Sequence, residues 1–121
     1  MAGTPLDNYL RTCRKKADLS QEEASRLVGL KNRLQFSRYE RCQSEPPLEV
    51  ALACEQICGV PTAQLFAGVS TAVAKRTRKR VRAFERTLSR EATAAAPRRL
   101  HRKLQWVIEC LARLVRLIYG T

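Results

Sequence analysis

The chain has 121 residues, of which 23 are Lys or Arg and 11 are Asp or Glu, so its formal net charge is +12. This length suffices for one small domain with a helical appendage, and the basic balance points to a polyanionic partner. The charge is uneven, because residues 1–68 carry 9 basic and 8 acidic side chains (net +1) whereas residues 69–121 carry 14 and 3 (net +11). The sequence therefore predicts a nearly neutral domain at 1–68 and a basic helical tail at 69–121.

The residue types that carry catalysis or bind metals form no convincing constellation. The single histidine, His101, has no carboxylate partner at helical spacing, and the glycines form no phosphate-binding loop. Cys54 and Cys58 are four residues apart and could present two thiolates to a metal, but no histidine is nearby, so we expect a buried apolar role for them. We therefore expect no enzyme, no cofactor and no metal site.

The compartment is indicated by the cysteines and by the hydropathy pattern. Five cysteines are odd in number and follow no disulfide framework, which favours a reducing cytoplasm. The amino terminus has no basic segment followed by an apolar run, so no signal peptide is expected. Glu109, Arg113 and Arg116 interrupt the best candidate for a membrane span. A soluble, cytoplasmic protein is the expectation.

The first predicted helix runs from Leu6 to Lys16. Its apolar side chains, Leu6, Tyr9, Leu10 and Cys13, recur at helical spacing and form one stripe.

Two short helices joined by a tight turn are predicted between Leu19 and Cys42. Ser20 and Glu23 have the spacing of a capping box, so a helix begins at Gln21, and Gly29 supplies the positive φ that a steep turn needs. The predicted inward side chains are Ala24, Val28, Leu30, Phe36 and Tyr39. The predicted outward side chains on and beside the second helix are cationic or amide-bearing and suit phosphates and base edges: Lys31, Arg33, Gln35, Ser37, Arg38 and Arg41.

The next segment predicts two further helices. Ser44 to Pro47 is a linker, and Leu48–Cys58 is so apolar all round that a buried helix is expected. Gly59 ends that helix, and Thr62 is expected to cap a last short helix through Phe66.

Ordered motifs between about Leu6 and Phe66 carry a family resemblance: LSQEEASRLVGL, then SRYER, then PPLEVALACEQICGVPTAQLF. With them the chain resembles the lambda-repressor-like (Xre) helix-turn-helix family of phage and bacterial transcription regulators. The resemblance implies an all-α fold with a five-helix domain, here followed by two amphipathic helices. It also implies a sequence-specific, DNA-binding transcriptional regulator that places the helix around Asn32 to Arg41 in the major groove of double-stranded DNA.

The resemblance assigns roles by position. Arg33, Leu34, Gln35, Ser37 and Arg38 are the implied base-contacting residues, and Leu34 would be limited to apolar contact such as a thymine methyl. The implied backbone-contacting residues are Gln21, Lys31, Asn32 and Arg41. An ion pair between Arg14 and Glu40 is implied to lock the first helix to the recognition helix. One departure is that the chain has one residue more than the commonest family spacing between Gln21 and Glu40, which falls between Leu30 and Gln35.

The tail is interpreted from periodicity alone. Apolar residues at three- or four-residue spacing predict a first basic helix, and Pro97 begins a second helix after the Ala94–Ala96 break. The expected seam of the first helix is Val69, Val73, Thr77, Val81, Phe84 and Leu88. The second has a broad apolar face of Leu100, Leu104, Val107, Ile108, Leu111, Leu114, Val115 and Ile118, which must be covered. Either the two helices form a hairpin, or the last helix pairs with a second chain in a homodimer and leaves the tail arginines for DNA phosphates.

Two other interpretations of function remain open at this stage. The domain could serve as a scaffold in an antitoxin or adaptor whose tail binds a partner protein. The basic amphipathic tail could also lie on an anionic membrane with Trp106 and Tyr119 at the interface, although the same face is equally suited to protein packing. Selection of bound sequences from random DNA would separate operator binding from the first of these.

Overall fold

The computed structural model describes residues 7–93 and 95–120, and these residues form seven α-helices and no strand. The helices are α1 (Leu10–Lys16), α2 (Gln21–Leu27), α3 (Arg33–Glu40), α4 (Leu48–Cys58), α5 (Thr62–Leu65), α6 (Ala67–Glu91) and α7 (Arg98–Tyr119). The prediction of an all-α fold is confirmed. Contacts divide the chain into two compact units, one up to Ser70 and one from Thr71 onwards.

Helix α1 begins later than the apolar spacing predicted. It starts at Leu10, not Leu6, and Leu6 lies outside the described residues. The side chain of Asn8 explains the later start, because its Oδ1 accepts a hydrogen bond from the Leu10 amide at 2.7 Å. The backbone amide of Tyr9 is also engaged, since it donates to the Leu65 carbonyl at 2.8 Å. The segment before α1 is thereby fixed against α5 and cannot continue the helix.

The capping and turn chemistry around α2 is as predicted. Ser20 Oγ accepts from the Glu23 amide at 3.0 Å, and Glu23 Oε1 accepts from the Ser20 amide at 2.9 Å. The hydrogen bond from the Ser20 backbone, followed by that from its hydroxyl, lowers the pKa of Glu23. Gly29 has φ +85°, so it provides the positive φ between α2 and α3. The capping box and this glycine together fix the two ends of α2.

The core of the first unit lies between α1, α2, α3, α4 and α5. Its largest fully buried side chains are Phe36, Leu10 and Leu65, with Cys54 beside them. Of the predicted inward set, Leu30 is only half-buried and the other four are buried. Phe36 projects from α3 into this core, so the core determines which face of α3 is left outside.

Helix α4 has the predicted bounds but is not buried all round. Val50, Ala51 and Cys54 face the core, whereas Leu48 and Leu52 are exposed. Three buried positions within one turn use only one face, because a single layer of neighbouring helices covers one side of a helix. The prediction of a fully buried α4 is therefore wrong.

The turn after α4 is closed by a side chain that the sequence interpretation misplaced. Gly59 ends α4 at φ +68°, as predicted. Thr62, however, is the first residue of α5 and Pro61 occupies the capping position. Instead of capping, Thr62 Oγ1 donates to Glu55 Oε1 at 2.9 Å, and its backbone amide donates to the same oxygen at 2.7 Å. These bonds lower the pKa of Glu55 and join α4 to α5.

The second unit contains most of α6 together with α7, and the two helices pack on each other as a hairpin. Leu88 of α6 forms an apolar cluster with Leu100 and Val107 of α7. Val81 of α6 and Leu104 and Leu111 of α7 are half-buried and pack against this cluster. The fully buried positions on α7, Leu100, Val107 and Leu114, are seven residues apart, as are Ala74, Val81 and Leu88 on α6. Seven-residue spacing on both sides is typical of long-helix packing.

Three members of the predicted α6 seam lie outside this packing. Val73 and Phe84 are exposed because the row from Ala74 to Leu88 is the one that faces α7. Val69 packs on the core of the first unit instead. The seam prediction is therefore wrong at these three positions, and α6 runs without a break through the predicted boundary near Gly68.

Candidate nucleic-acid interface

Helix α3 presents an exposed polar face opposite its buried one. Phe36 and Tyr39 are turned into the core, and this leaves Arg33, Leu34, Gln35 and Arg38 exposed to solvent. Gln35 and Arg38 are three residues apart and therefore neighbours on the helix surface. Four of the five predicted base-contacting side chains are thus exposed on α3, and Gln35 and Arg38 are neighbours there.

Ser37, the fifth predicted base-contacting residue, has its side chain turned inwards. It is 4 % exposed, and its Oγ accepts hydrogen bonds from Arg41 Nε at 3.1 Å and from Arg41 Nη2 at 2.8 Å. The prediction that Ser37 points outwards is wrong. Its small side chain fits against the core beside Phe36, and its hydroxyl oxygen holds the guanidinium of Arg41 one turn further along the chain.

The residues predicted to contact the DNA backbone occupy the two ends of α3 and the start of α2. Asn32 caps α3, because its Oδ1 accepts from the amides of Leu34 at 3.0 Å and Gln35 at 3.4 Å. Lys31 precedes it and is exposed. Helix α2 ends at Leu27 and α3 begins at Arg33, so the interval from Leu30 to Gln35, where the additional residue is expected, includes the turn and the start of α3.

One carboxylate, that of Glu40, joins three helices behind the exposed face. Arg14 Nε donates to Glu40 Oε2 at 2.6 Å and Arg14 Nη2 donates to Oε1 at 3.3 Å. Gln21 Nε2 donates to the same Oε1 at 3.0 Å. Arg14 also donates to the Leu19 carbonyl at 2.8 Å. The Arg14 and Glu40 side chains are 13 % and 3 % exposed, so α1, α2 and α3 are held together by a largely buried charged group.

Asn8 is a second residue that fixes α3, and the sequence interpretation missed it. Its Nδ2 donates to the Tyr39 carbonyl at 2.7 Å near the end of α3. An asparagine just before a helix is a common capping residue, so its place two residues before Leu10 was an available signal. Its contact with α3, which lies 31 residues away along the chain, has no local signature.

The exposed face is positively charged and unneutralised. In the described part of the chain the ion pairs are Arg14–Glu40 and Arg26–Glu22, so Lys31, Arg33, Arg38 and Arg41 have no carboxylate partner there. Glu40, the only acidic residue of α3, faces inwards. Such a surface can bind an anion through its cations and a planar base edge through the amide of Gln35.

Two helices joined by a glycine turn, the second with an exposed cationic face, define a helix-turn-helix DNA-binding domain. A family model described as "Helix-turn-helix" matches residues 10–65, which cover α1 to α5. This match agrees, over residues 10–65, with the resemblance to lambda-repressor-like (Xre) helix-turn-helix domains. No curated protein and no solved structure matches the chain. The match over residues 10–65 points to a DNA-binding regulatory domain of the Xre type.

Within residues 7–93 and 95–120, no helix combines the length and the apolar character needed to cross a bilayer.

Proposed function

We propose that this protein is a sequence-specific transcriptional regulator that places α3 in the major groove of double-stranded DNA and acts by binding, not by catalysis. The observation that carries the proposal is that α3 has an exposed polar face on one side and is fixed to the neighbouring helices on the other. Gln35 and Arg38 are exposed as neighbours, whereas Glu40 ties the same helix to α1 and α2. A side chain can discriminate between bases only if its helix is held at a fixed position.

The four exposed side chains of α3 are proposed to contact bases. Arg38 and Arg33 suit the two acceptors of guanine, Gln35 suits the donor and acceptor of adenine, and Leu34 suits a thymine methyl. Ser37 is left out because its hydroxyl is already bonded to Arg41. Gln21, Lys31, Asn32 and Arg41 are proposed to contact the sugar–phosphate backbone and so to set the register of α3.

We further propose that the regulator is a homodimer formed through α7. Regulators of this kind usually bind two half-sites about one helical turn apart, which requires two linked recognition helices. The hairpin covers Leu100, Val107 and Leu114 but leaves Ile108 and Val115 exposed. With the half-buried Ile118, and with Leu111 at the edge of the hairpin cluster, they recur at spacings of three, four and three, the pattern of a coiled-coil seam.

The proposed compartment is a reducing cytoplasm. All five cysteines are free thiols, which persist in that environment.

Selection of bound sequences from a random duplex pool tests the proposal. We expect a motif with two related halves, because two copies of α3 would contact it. The matched control is the Gln35→Ala, Arg38→Ala double variant. It should still bind duplex DNA without sequence preference, so that no motif is enriched. Enrichment of no motif by the parent chain would contradict operator binding and favour an antitoxin or adaptor whose tail binds a partner protein.

A further inference from the structure

The amino-terminal half of α7 is a cationic surface that the proposed operator binding does not use. Arg98, Arg99, Arg102 and Lys103 lie within its first six residues, and all four are exposed. Its first acidic residue is Glu109, six residues beyond Lys103. The cations therefore form a block of one sign at the start of α7.

These side chains are arranged along two adjacent open depressions. Arg99, Arg102, Lys103 and Trp106 border a shallow depression that is largely open to solvent, and their spacing of three, four and seven residues places them on one helical face. Arg98, His101, Arg102 and Gln105 border a neighbouring open depression. Arg102 is common to both depressions. From Arg99 to Trp106 the surface extends about 10 Å along the helix axis, enough for more than one phosphate.

No charge of opposite sign neutralises this surface. Both ion pairs in the described residues lie before Arg41, so none of these four cations is paired there. Arg98 and Arg102 are four residues apart, as are Arg99 and Lys103, and like charges at this spacing repel each other on a helix. A bound polyanion would relieve that repulsion.

Trp106 distinguishes this surface from a simple patch of charge. It is the only tryptophan of the chain, and it is 51 % exposed although tryptophan is usually well buried. The hairpin does not use it, because the packed row of α7 is Leu100, Val107 and Leu114. An apolar protein partner would not need three cations beside the ring. An indole among cations has the composition of a site that stacks an unpaired base and holds its phosphates.

We propose that the face of α7 formed by Arg99, Arg102, Lys103 and Trp106 binds single-stranded nucleic acid, with one unpaired base stacked on Trp106 and the flanking phosphates on the cations. The bases of an intact duplex are already stacked and cannot offer this face. The proposal is independent of the operator function, because it concerns α7 and not α3.

The fluorescence of Trp106 tests the proposal directly, since no other tryptophan contributes. The full chain is titrated at low salt with a ten-residue oligothymidylate, a blunt duplex of equal length, inorganic polyphosphate and vesicles rich in phosphatidylserine. We expect the oligothymidylate to quench the emission and to bind more weakly as salt rises. The other three probes should quench it much less.

Two variants and one matched control separate charge from stacking. Trp106→Leu should weaken binding of a labelled oligothymidylate by roughly 5- to 150-fold, whereas Trp106→Phe should retain much of it. Each phosphate contact contributes about 0.7 to the steepness of the fall of log K with log salt. The Arg99→Gln, Arg102→Gln variant, which removes two cations, should therefore make this dependence shallower by about 1.4. The control is Arg113→Gln, Arg116→Gln, which removes the same charge from the other half of α7. This variant should change neither the quenching by oligothymidylate nor the loss of binding caused by Trp106→Leu.

Several results would overturn the proposal. Equal quenching by polyphosphate would show that charge alone acts, equal quenching by the duplex would exclude stacking of an unpaired base, and a blue shift on vesicles alone would assign the surface to a membrane. Unchanged emission with the oligothymidylate would also overturn it. None of these results bears on operator selection, which depends on Gln35 and Arg38, so the two proposals fail separately.

Discussion

At the scale of single residues, Glu40 is the side chain on which the position of α3 depends. Its two oxygens accept three hydrogen bonds, two from Arg14 and one from Gln21. A buried carboxylate of this kind contributes mainly by fixing geometry, because the cost of removing both charges from water offsets much of their attraction.

Glu40→Ala is expected to destabilise the fold by about 3 to 5 kcal/mol, because it leaves the largely buried Arg14 guanidinium without its partner. Urea denaturation followed by circular dichroism measures this. The control is Glu22→Ala, which breaks the exposed Arg26–Glu22 pair and should cost no more than about 1 kcal/mol. Equal midpoints for the parent and Glu40→Ala would mean that the pair does not lock the helices.

The Gln35→Ala, Arg38→Ala variant is expected to lose preference for the selected site while keeping its helical spectrum, because both side chains are exposed. Each lost base contact should cost about 1 to 3 kcal/mol of specific binding. Fluorescence anisotropy on selected and scrambled duplexes gives the ratio of the two affinities. Arg26→Ala, an exposed change on α2, is the control that should preserve the ratio. Full discrimination by the double variant would place the base contacts elsewhere.

Residue-scale prediction succeeded where the signal is local and failed where it is not. Ser20, Glu23 and Gly29 were assigned from short-range chemistry that depends on neighbours within four residues. Ser37 was misplaced because a small polar residue has little effect on helical periodicity, so its orientation depends on where Phe36 and Tyr39 enter the core.

At the scale of elements, α1 and α4 meet through three thiols. Cys54 lies in the core, and Cys13 and Cys58 are half-buried and pack against that core. Burial, more than the neighbouring thiols, raises the pKa of Cys54 to about 11 and that of Cys58 to about 12. The thiols are therefore neutral, small and apolar in the folded chain.

Stability is expected to fall as the pH rises above 9. Above the usual thiol pKa of 9.0, Cys54 and Cys58 lose protons in the unfolded chain but keep them in the folded one. The unfolded state then binds fewer protons, so the free energy of unfolding decreases until the folded-state values are reached. Urea denaturation from pH 8 to 11 should show a shallower decrease for Cys58→Ala than for the parent. Parallel curves would contradict the raised pKa of Cys58.

Element bounds were largely predictable, whereas burial was not. Leu48–Cys58 has the predicted ends because Pro47 precedes its first residue and Gly59 follows its last, and both residues are strong local signals for helix ends. Its composition nevertheless suggested burial on every side, and Leu48 and Leu52 are exposed. Composition measures how apolar a helix is, but the number of covered faces depends on neighbours that are distant in sequence.

At the scale of the whole molecule, the two tail interpretations become compatible. The hairpin exists within one chain, and the exposed Ile108 and Val115 leave a seam for a second copy. The family model ends at residue 65, and the tail carries no comparable motif. Periodicity alone predicted that its apolar face must be covered, but could not assign each residue to a hairpin or to a dimer contact.

Ile108→Glu with Val115→Glu is expected to convert a dimer to a monomer without loss of helix, because neither side chain belongs to the buried row of the hairpin. Sedimentation equilibrium measures the mass, and circular dichroism monitors the fold. Leu117→Glu changes an equally exposed leucine on another side of α7 and should leave the dimer intact. A monomeric parent would refute the dimer. A variant that remains dimeric would place the interface away from this seam.

The rows of like charge along the tail give ionic strength two opposing effects. Arg76 and Arg80, or Arg82 and Arg86, repel each other across one turn of α6, as Arg98 and Arg102 do on α7. Added salt screens that repulsion and should raise the melting temperature of the hairpin. At higher salt the release of counterions from nucleic acid is less favourable, so every contact between the tail and a phosphate should weaken. Conditions that preserve the folded tail best are therefore those in which it binds nucleic acid least, and the ionic strength of the cell determines the balance.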